Sequence, residues 1–579
     1  MHRPWTLKAI DAQASARLTR ELGLHHATAR WLVGRGFVEP ARAQAFLKPR
    51  LAELRSPRGA GGIAGFEQAI ERLVRALDAG ERVGIFGDYD VDGVTTTALL
   101  TLYLRSVGLD IVPRVARRDA GYGFGVGEAQ AFTERGCGLI VTCDCGTSDL
   151  PAILAARERG VDVIVLDHHQ VPSQVDAHPS VALLNPHRAD SSYPFRGFAS
   201  VGLAFMLVAA LRTRLREANH FARSGRADQD VRELLDLVAV GTIADMAPLA
   251  DENRTLVVAG LAKLAERRRP GLAALLDRAE VQRGKPLDEI DVSWRLGPRL
   301  NAPGRLGDAE PALRLLMAAD AAQAQAECDV LESCNQRRRE LQDRVVEEAL
   351  ADAEQQAHRA AILVAREGWH PGVVGIVAAK LVEKYGRPVA VVALDAATGQ
   401  GRGSVRTSHG VDVYRALAAC SEQLVRYGGH AAAAGMTVES TKVTEVAERF
   451  AAAVAAARDE ARHAAPLELD AEIGLGDVDE KLAREIAALA PFGPGNEAPA
   501  IGARRALVRG SRRVGDGSHL KLQLECSATG RECSAIAFRM GDRDPGVGAT
   551  IDVMFQPEIS TFRGESRVEL KVRDLRPSV

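Results

Sequence analysis

The segment Gly87-Asp88-Tyr89-Asp90-Val91-Asp92-Gly93 sets three carboxylates two residues apart, directly after the apolar run Val83-Gly84-Ile85-Phe86. In extended backbone, residues two apart share a face, so three like charges there repel unless a cation lies among them. Asp144 follows a second apolar run, Gly138-Leu139-Ile140-Val141-Thr142-Cys143, and Asp167-His168-His169 follow a third, Val161 to Leu166. Asp245 closes a further apolar stretch ending in Gly241-Thr242-Ile243-Ala244. Hard oxygen ligands with one or two imidazoles suit Mn²⁺ first and Mg²⁺ second, since histidine is an uncommon magnesium ligand and structural zinc favours thiolate. Two divalent ions about 3.5–4 Å apart would offset five or so carboxylates, generate a hydroxide from water and stabilise both oxygens of an in-line displacement at phosphorus. Each element also has a plainer reading: aspartates in glycine-flanked loops serve as turn or helix-cap residues, and a histidine pair can be a satisfied part of a core. The coincidence of all four at expected strand or helix ends favours metal. Cys143 and Cys145 flank Asp144, but no partner pair stands at zinc-site spacing, so both are expected to pack in the core.

The elements that must position these residues follow from hydrophobic patterning. Between Arg82 and Pro172 short β-branched runs alternate with helical stretches, which predicts a parallel sheet with helices on its faces. Ligands of such sheets gather outside the carboxyl ends of the strands, so one sheet edge would collect all three clusters. A helical region follows, and from Pro311 to Gly368 there is neither glycine nor proline between the two, which predicts long helices acting as a connector. A second, smaller α/β unit starts at Ala360-Ala361-Ile362-Leu363-Val364 and contains Gly403-Ser404-Val405-Arg406-Thr407 and the glycine-rich Tyr427-Gly428-Gly429-His430. After Pro466, period-two alternation with frequent glycine turns predicts a small β-barrel or sandwich. The expected divisions are an N-terminal helical segment (1–60), a catalytic α/β domain (61–308), connecting helices (309–344), a substrate-binding α/β domain (345–460) and a barrel (461–579).

With GDYDVDG, Asp144, Leu166-Asp167-His168-His169 and Gly241-Thr242-Ile243-Ala244-Asp245 in this order, the chain resembles the DHH phosphoesterase superfamily. Leu296-Gly297-Pro298-Arg299-Leu300-Asn301-Ala302-Pro303-Gly304-Arg305, GSVRT and YGGH are similar to later motifs of its bacterial branch of single-strand-specific exonucleases. The resemblance implies a parallel-sheet DHH domain, a DHH-associated domain and an OB-like barrel. It implies that Asp88, Asp90, Asp92, Asp144, His168 and Asp245 hold two metals, with Asp144 the bridge. Asp167 would orient the neighbouring imidazole, and His169 would face the metals or the scissile phosphate. It further implies phosphate contacts from Ser404, Arg406, Gly428, Gly429 and His430 in the second lobe, with Arg305 at the lobe junction and a basic contact near Arg117 and Arg118 in the first. The implied activity is 5′-to-3′ hydrolysis of single-stranded DNA to nucleoside 5′-monophosphates in repair and recombination. A monomer working beside single-strand-binding protein and a recombination helicase is the implied setting. Two rivals are a DHH phosphoesterase of short oligonucleotides, cyclic dinucleotides or pyrophosphate, and an inactive scaffold of the same fold that only grips single strands.

Composition bounds the rest. The 579 residues are 46% hydrophobic and 26% charged with a net charge of -2, an ordinary globular balance with no global basic field, so any polyanion site must be local. The clearest basic run is Arg504, Arg505, Arg509, Arg512, Arg513 and Lys521 in the barrel region, suited to tracking a nucleic-acid backbone. Phe538, Phe555 and Phe562 are the aromatic residues there that could stack on bases. Eight cysteines without a regular framework, no signal-like N-terminus and no apolar run long enough to span a bilayer predict a cytoplasmic protein without membrane contact.

Overall fold

The computed structural model describes residues 4–118, 121, 123–172, 178–407, 410–460, 466–562 and 565–578. The apolar runs after Arg82 form a parallel sheet of β1 (Arg82–Gly87), β2 (Asp110–Val115), β3 (Cys137–Cys143), β4 (Asp162–Leu166) and β5 (Ala182–Leu184), in the spatial order β2-β1-β3-β4-β5. The chain leaves β1 for β2 on one side and returns to β3 on the other, so the strand order reverses between β1 and β3. Open parallel sheets bind ligands in the crevice at such a switch point. Both faces of the sheet are covered, which is why these strands read as continuous apolar runs. Helix α1 (Val91–Val107) packs between the sheet and two further helices, α2 (Ser200–Glu217) and α3 (Leu235–Ala244), and is buried on nearly all sides.

Helix α4 (Gly297–Leu306) leads to the junction with the second lobe, and α5 (Ala321–Glu354) spans it. Helix α5 continues past the expected boundary at 344 because Leu341, Val345, Ala349 and Ala353 form an i, i+4 stripe buried in the core of the second lobe. That lobe is a five-stranded mixed sheet of β6 (Ile362–Glu367), β7 (Val389–Asp395), β8 (Gln400–Arg406), β9 (Leu424–Gly429) and β10 (Ala433–Glu439), ordered β9-β10-β8-β7-β6, with α6 (Val374–Tyr385) against it.

The C-terminal strands β11 (Ile501–Val514), β12 (His519–Cys526), β13 (Glu532–Ala537), β14 (Thr550–Phe562) and β15 (Glu565–Pro577) pair in the order β11-β12-β13-β15-β14, and β14 pairs back with β11, closing a five-stranded barrel consistent with an OB fold. The N-terminal helical segment does not stand alone. Leu18, Trp31 and Leu32 lie in one core with Leu482, Ile486 and Phe555, and the short strand Trp5–Leu7 pairs in parallel with Leu467–Leu469. Hydrophobic periodicity reports that a face is buried, not what buries it, so this union of distant segments was not readable in the sequence. Among the described residues no helix is long and apolar enough to cross a membrane.

Candidate active site

The switch-point strands each deliver a carboxylate from the carboxyl end. The backbone N–H of Asp88 donates to Cys143 O at 3.1 Å, that of Asp144 to Leu166 O at 2.9 Å and that of Asp167 to Leu184 O at 3.1 Å, so the ladder continues one residue beyond each strand. Gly93 lets α1 start against this edge, since a Cβ there would lie 2.5 Å from Asp88 O. Asp90 caps α1, accepting from Gly93 N at 3.1 Å, and also offers an oxygen to a group with Asp88 and Asp144. The cap and ligand readings therefore coexist in one residue. Asp92 is buried and accepts the N–H groups of Ser200 at 2.6 Å and Val201 at 2.9 Å, the free donors at the start of α2. Asp144 holds a left-handed backbone, φ 63°, sparsely used by residues other than glycine and a mark of strained functional positions. Ser200 Oγ donates to its Oδ1 at 3.1 Å. Asp245 follows α3 and completes a group with Asp92 and His168, while Asp144 forms another with His168 and His169; in every group the ligand atoms lie within 4.8 Å of one another.

Asp167 stands apart from these. It accepts from the backbone N–H of Thr147, His168 and His169 and from His169 Nδ1 at 2.7 Å. Burial disfavours its charge, but the His169 and Thr147 hydrogen bonds win and hold its carboxyl well below the usual range. His169 responds in kind: burial would lower it, yet its bond to Asp167 raises it to about 9. Asn185 locks the arrangement, its Nδ2 donating to Thr147 Oγ1 at 3.0 Å and His169 O at 2.8 Å. Thr147, Asn185 and Ser200 were not singled out from the sequence. The available signal was position alone, a polar residue just beyond an apolar strand or at a helix start.

The donor set fits divalent cations. Burial, then the neighbouring Asp90, raises Asp92 to about 7 and moves Asp88 and Asp144 well above the ordinary carboxylate range; burial, then Asp92, raises Asp245 to about 9. Burial drives His168 down to about 4, leaving a neutral ring. Among the described residues Asp88, Asp92 and Asp245 form no ion pair with lysine or arginine. Asp88 Oδ1 and His168 Nε2 are buried without a hydrogen-bond partner, although His168 Nε2 lies only 3.1 Å from Asp144 Oδ1. Crowded carboxyls that burial and mutual repulsion keep from ionising alone are groups a cation would stabilise in their charged form, and the oxygen-rich set suits Mn²⁺ or Mg²⁺. Cys143 and Cys145 are buried in the cores on either side of the sheet.

At the lobe junction the sign reverses. Arg118 lies 4.0 Å over the Tyr89 ring and donates to Gly304 O at 3.0 Å, and Arg305 reaches Gly372 O of the second lobe at 3.4 Å. Arg406 donates to Ser404 Oγ at 2.8 Å, and Arg338 of α5 to Gln342 at 2.9 Å and to Asn335. Arg118, Arg305, Ser404 and Arg406, with Tyr89 and His370, line an inter-lobe cleft of about 1120 Å³. Among the described residues none of Arg118, Arg305, Arg338 and Arg406 pairs with a carboxylate. Burial, reinforced by the other three, lowers Arg305 to about 10. The backbone of Arg117 forms an isolated antiparallel β-bridge with Asp308 beside this wall. Gly428 and Gly429 end β9, and His430 opens the tight turn to β10, with His430 N donating to Ala433 O at 2.9 Å. Ala433 pairs with Arg406, which sets the turn at the same end of the sheet, but these three residues are exposed and not among those lining the cleft.

The barrel run departs from expectation. Arg504 bonds Glu472 and Asp552, Arg509 bonds Glu525 at 2.7 Å and Lys521 bonds Glu569, so these cations are already neutralised within the chain. Arg505 takes a left-handed φ of 55° at a bulge in β11. Arg512 and Arg513 carry no ion pair among the described residues. Phe555 is fully buried and cannot stack on a base, Phe538 is half exposed beside His519, and the Phe562 side chain lies outside the described residues.

The chain matches the family models described as DHH family, N-terminal domain, over residues 82–242, DHHA1 domain over 358–462 and RecJ OB domain over 469–574. It is 32% identical to the single-stranded-DNA-specific exonuclease RecJ of Bacillus subtilis, covering 98% of this chain and 70% of that protein. It is 33% identical to the same-named protein of Escherichia coli, covering 89% and 91%. Among solved structures it is similar to RecJ in complex with Mn²⁺ from Thermus thermophilus, with a TM-score of 0.82, 31% identity and coverage of 100% and 80%. It is also similar to an exonuclease RecJ bound to manganese, with a TM-score of 0.58, 35% identity and coverage of 70% and 99%. Relatives that agree in sequence over most of the chain and in three-dimensional course, together with the three family-model matches, lead to one conclusion: the chain belongs to the RecJ family of single-stranded-DNA-specific exonucleases.

Proposed function

We propose that the protein degrades single-stranded DNA from the 5′ end, with the terminal phosphate held by the junction arginines and the adjoining phosphodiester held at the acidic cluster, releasing nucleoside 5′-monophosphates. The observation that carries this reading is that a buried acidic cluster, in which Asp88, Asp92 and Asp245 meet no lysine or arginine among the described residues, lies close to junction guanidinia that meet no carboxylate among them, near enough for Arg118 to act on Asp88 and Asp90 on Arg305. A terminal phosphate dianion matches several convergent guanidinia better than the single charge of an internal phosphate does.

In this reading Asp88, Asp90, Asp92, Asp144, His168 and Asp245 hold two divalent cations. When bound, these would activate water for attack and offset the charge that builds on the phosphoryl oxygens. The chain's own groups set the geometry. The start of α2 and Ser200 fix Asp92 and Asp144, and Asp167 holds Nδ1 of His169 and so sets the direction of the ring, whose charged form keeps Nε2–H to donate toward the phosphate oxygens. Arg305 and Arg406, with Ser404, orient the terminal phosphate, and the His430 turn borders the strand beyond. The free cysteines support a cytoplasmic setting. The family resemblance is the support for a monomer that receives strands beside single-strand-binding protein and a recombination helicase.

The test uses purified protein, Mn²⁺ and strands labelled at either end, with a 5′-phosphate or a 5′-hydroxyl. The expected first product is the labelled 5′ mononucleotide, formed faster from the phosphorylated strand. First products from the 3′ end, or indifference to the 5′-phosphate, would overturn the polarity reading.

A further inference from the structure

Beside the acidic cluster lies a second cavity, of about 480 Å³, which Arg305 borders as it borders the phosphate cleft. Its character is different. Met246, Trp294, Ile376, Phe492 and Pro494 line it, drawn from the catalytic lobe, helix α6 of the second lobe and the segment ahead of the barrel. Met246 is 69% exposed and Trp294 70% exposed. Large apolar side chains left in water at a cavity shared by separate domains mark a binding surface.

Both residues are held outward by unusual backbone. Met246 directly follows Asp245 of the acidic cluster and adopts a left-handed φ of 61°. Trp294 sits in a π-helical stretch, Asp291–Leu296, of the kind that recurs at functional sites. Glu289 lines the same cavity with a buried Oε2 that has no hydrogen-bond partner. A purely apolar occupant would leave that oxygen unsatisfied, whereas the amino and ring N–H groups of nucleobases are donors.

We infer that Trp294 and Met246 form a stacking platform for the base of a nucleotide next to the scissile phosphate. The inference rests on the nuclease reading and adds a second handle on the same nucleotide. Arg305, on the border of both spaces, grips phosphate while the adjoining cavity takes the base. Stacking tolerates any base because every base has a π-face, so the platform would position DNA without reading its sequence.

The test exploits the tryptophans. Of the four in the chain, Trp5, Trp31 and Trp369 are at most 7% exposed, so Trp294 is the accessible fluorophore. Full-length protein in EDTA, where no cleavage occurs, is titrated with short oligothymidylate. Quenching is expected, and its disappearance in W294F is expected with it. Cleavage in Mn²⁺ is then followed on strands carrying one abasic residue at successive positions from the 5′ end. One position is expected to slow the wild type about 10- to 100-fold, W294A to slow normal strands as much, and the two losses not to add. W294F should retain most of the rate. Unquenched fluorescence, or wild-type cleavage with an unchanged abasic penalty in W294A, would overturn the platform alone. Wild-type protein that neither binds nor cleaves single strands would overturn the platform and the nuclease reading together.

Discussion

The arginines at the lobe junction and those on the barrel differ in a way their sequence neighbourhoods conceal. The barrel has the denser run, yet Arg504, Arg509 and Lys521 spend their charge on Glu472, Asp552, Glu525 and Glu569. The junction draws Arg118, Arg305, Arg338 and Arg406 from four separate stretches, and none meets a carboxylate among the described residues. Paired surface cations contribute little to ligand binding, because their charge is already compensated and exposed. Guanidinia kept together without counter-ions hold a standing demand for an anion.

The comparison breaks most cleanly at its acidic counterpart. Asp144→Asn should cut cleavage by at least about a thousand-fold, because it removes charge shared between metal groups, while strand binding measured in EDTA changes little. Parallel loss of binding would show that grip and chemistry are not separate.

Arg406→Ala should lower kcat/KM on 5′-phosphorylated strands by about 30- to 100-fold, from the loss of a charge-assisted contact, and should shrink the preference over 5′-hydroxyl strands. An equal fall on both substrates would remove the junction from 5′-end recognition. On the barrel, Arg512→Ala and Arg513→Ala should each weaken long-strand binding a few-fold and reduce the log–log salt slope by about 1 if each meets a phosphate. The smallest effect is expected for Arg509→Ala, within about two-fold, since Glu525 already holds that guanidinium. A large loss there, with Glu525→Gln tightening binding, would show that the pair opens on DNA.

The sequence made one half of this legible. Asp88, Asp144 and Asp167 stand directly after apolar runs, and a parallel sheet has one carboxyl edge, so their convergence followed from pattern and topology. The supports for that cluster were hidden because Thr147, Asn185 and Ser200 are each a single small polar residue where a cap or turn is ordinary. The barrel's neutralised charges were hidden because their partners are distant: Glu525 lies 16 residues from Arg509, and Asp552 and Glu569 lie 48 residues from Arg504 and Lys521. Arg338 carries no sequence signal of its burial, since it is one of many charges along a long helix. Phe555 shows the same limit, since an alternating strand does not declare which face closes a barrel.

The union of the N-terminal segment with the barrel core has a consequence in time. His25 bonds Glu485, 460 residues further along the chain. At about 5–20 residues per second of synthesis, the ribosome takes roughly half a minute to a minute and a half to deliver that partner. Throughout that interval the helices carrying Leu18, Trp31 and Leu32, all fully buried in the finished protein, can pack on one another but lack the barrel residues that complete their core. The catalytic lobe can assemble meanwhile from contiguous chain, so the earliest helices to leave the ribosome are among the last to settle. A nascent chain stalled before the barrel should present a sticky, chaperone-accessible leader attached to an already folded nuclease lobe.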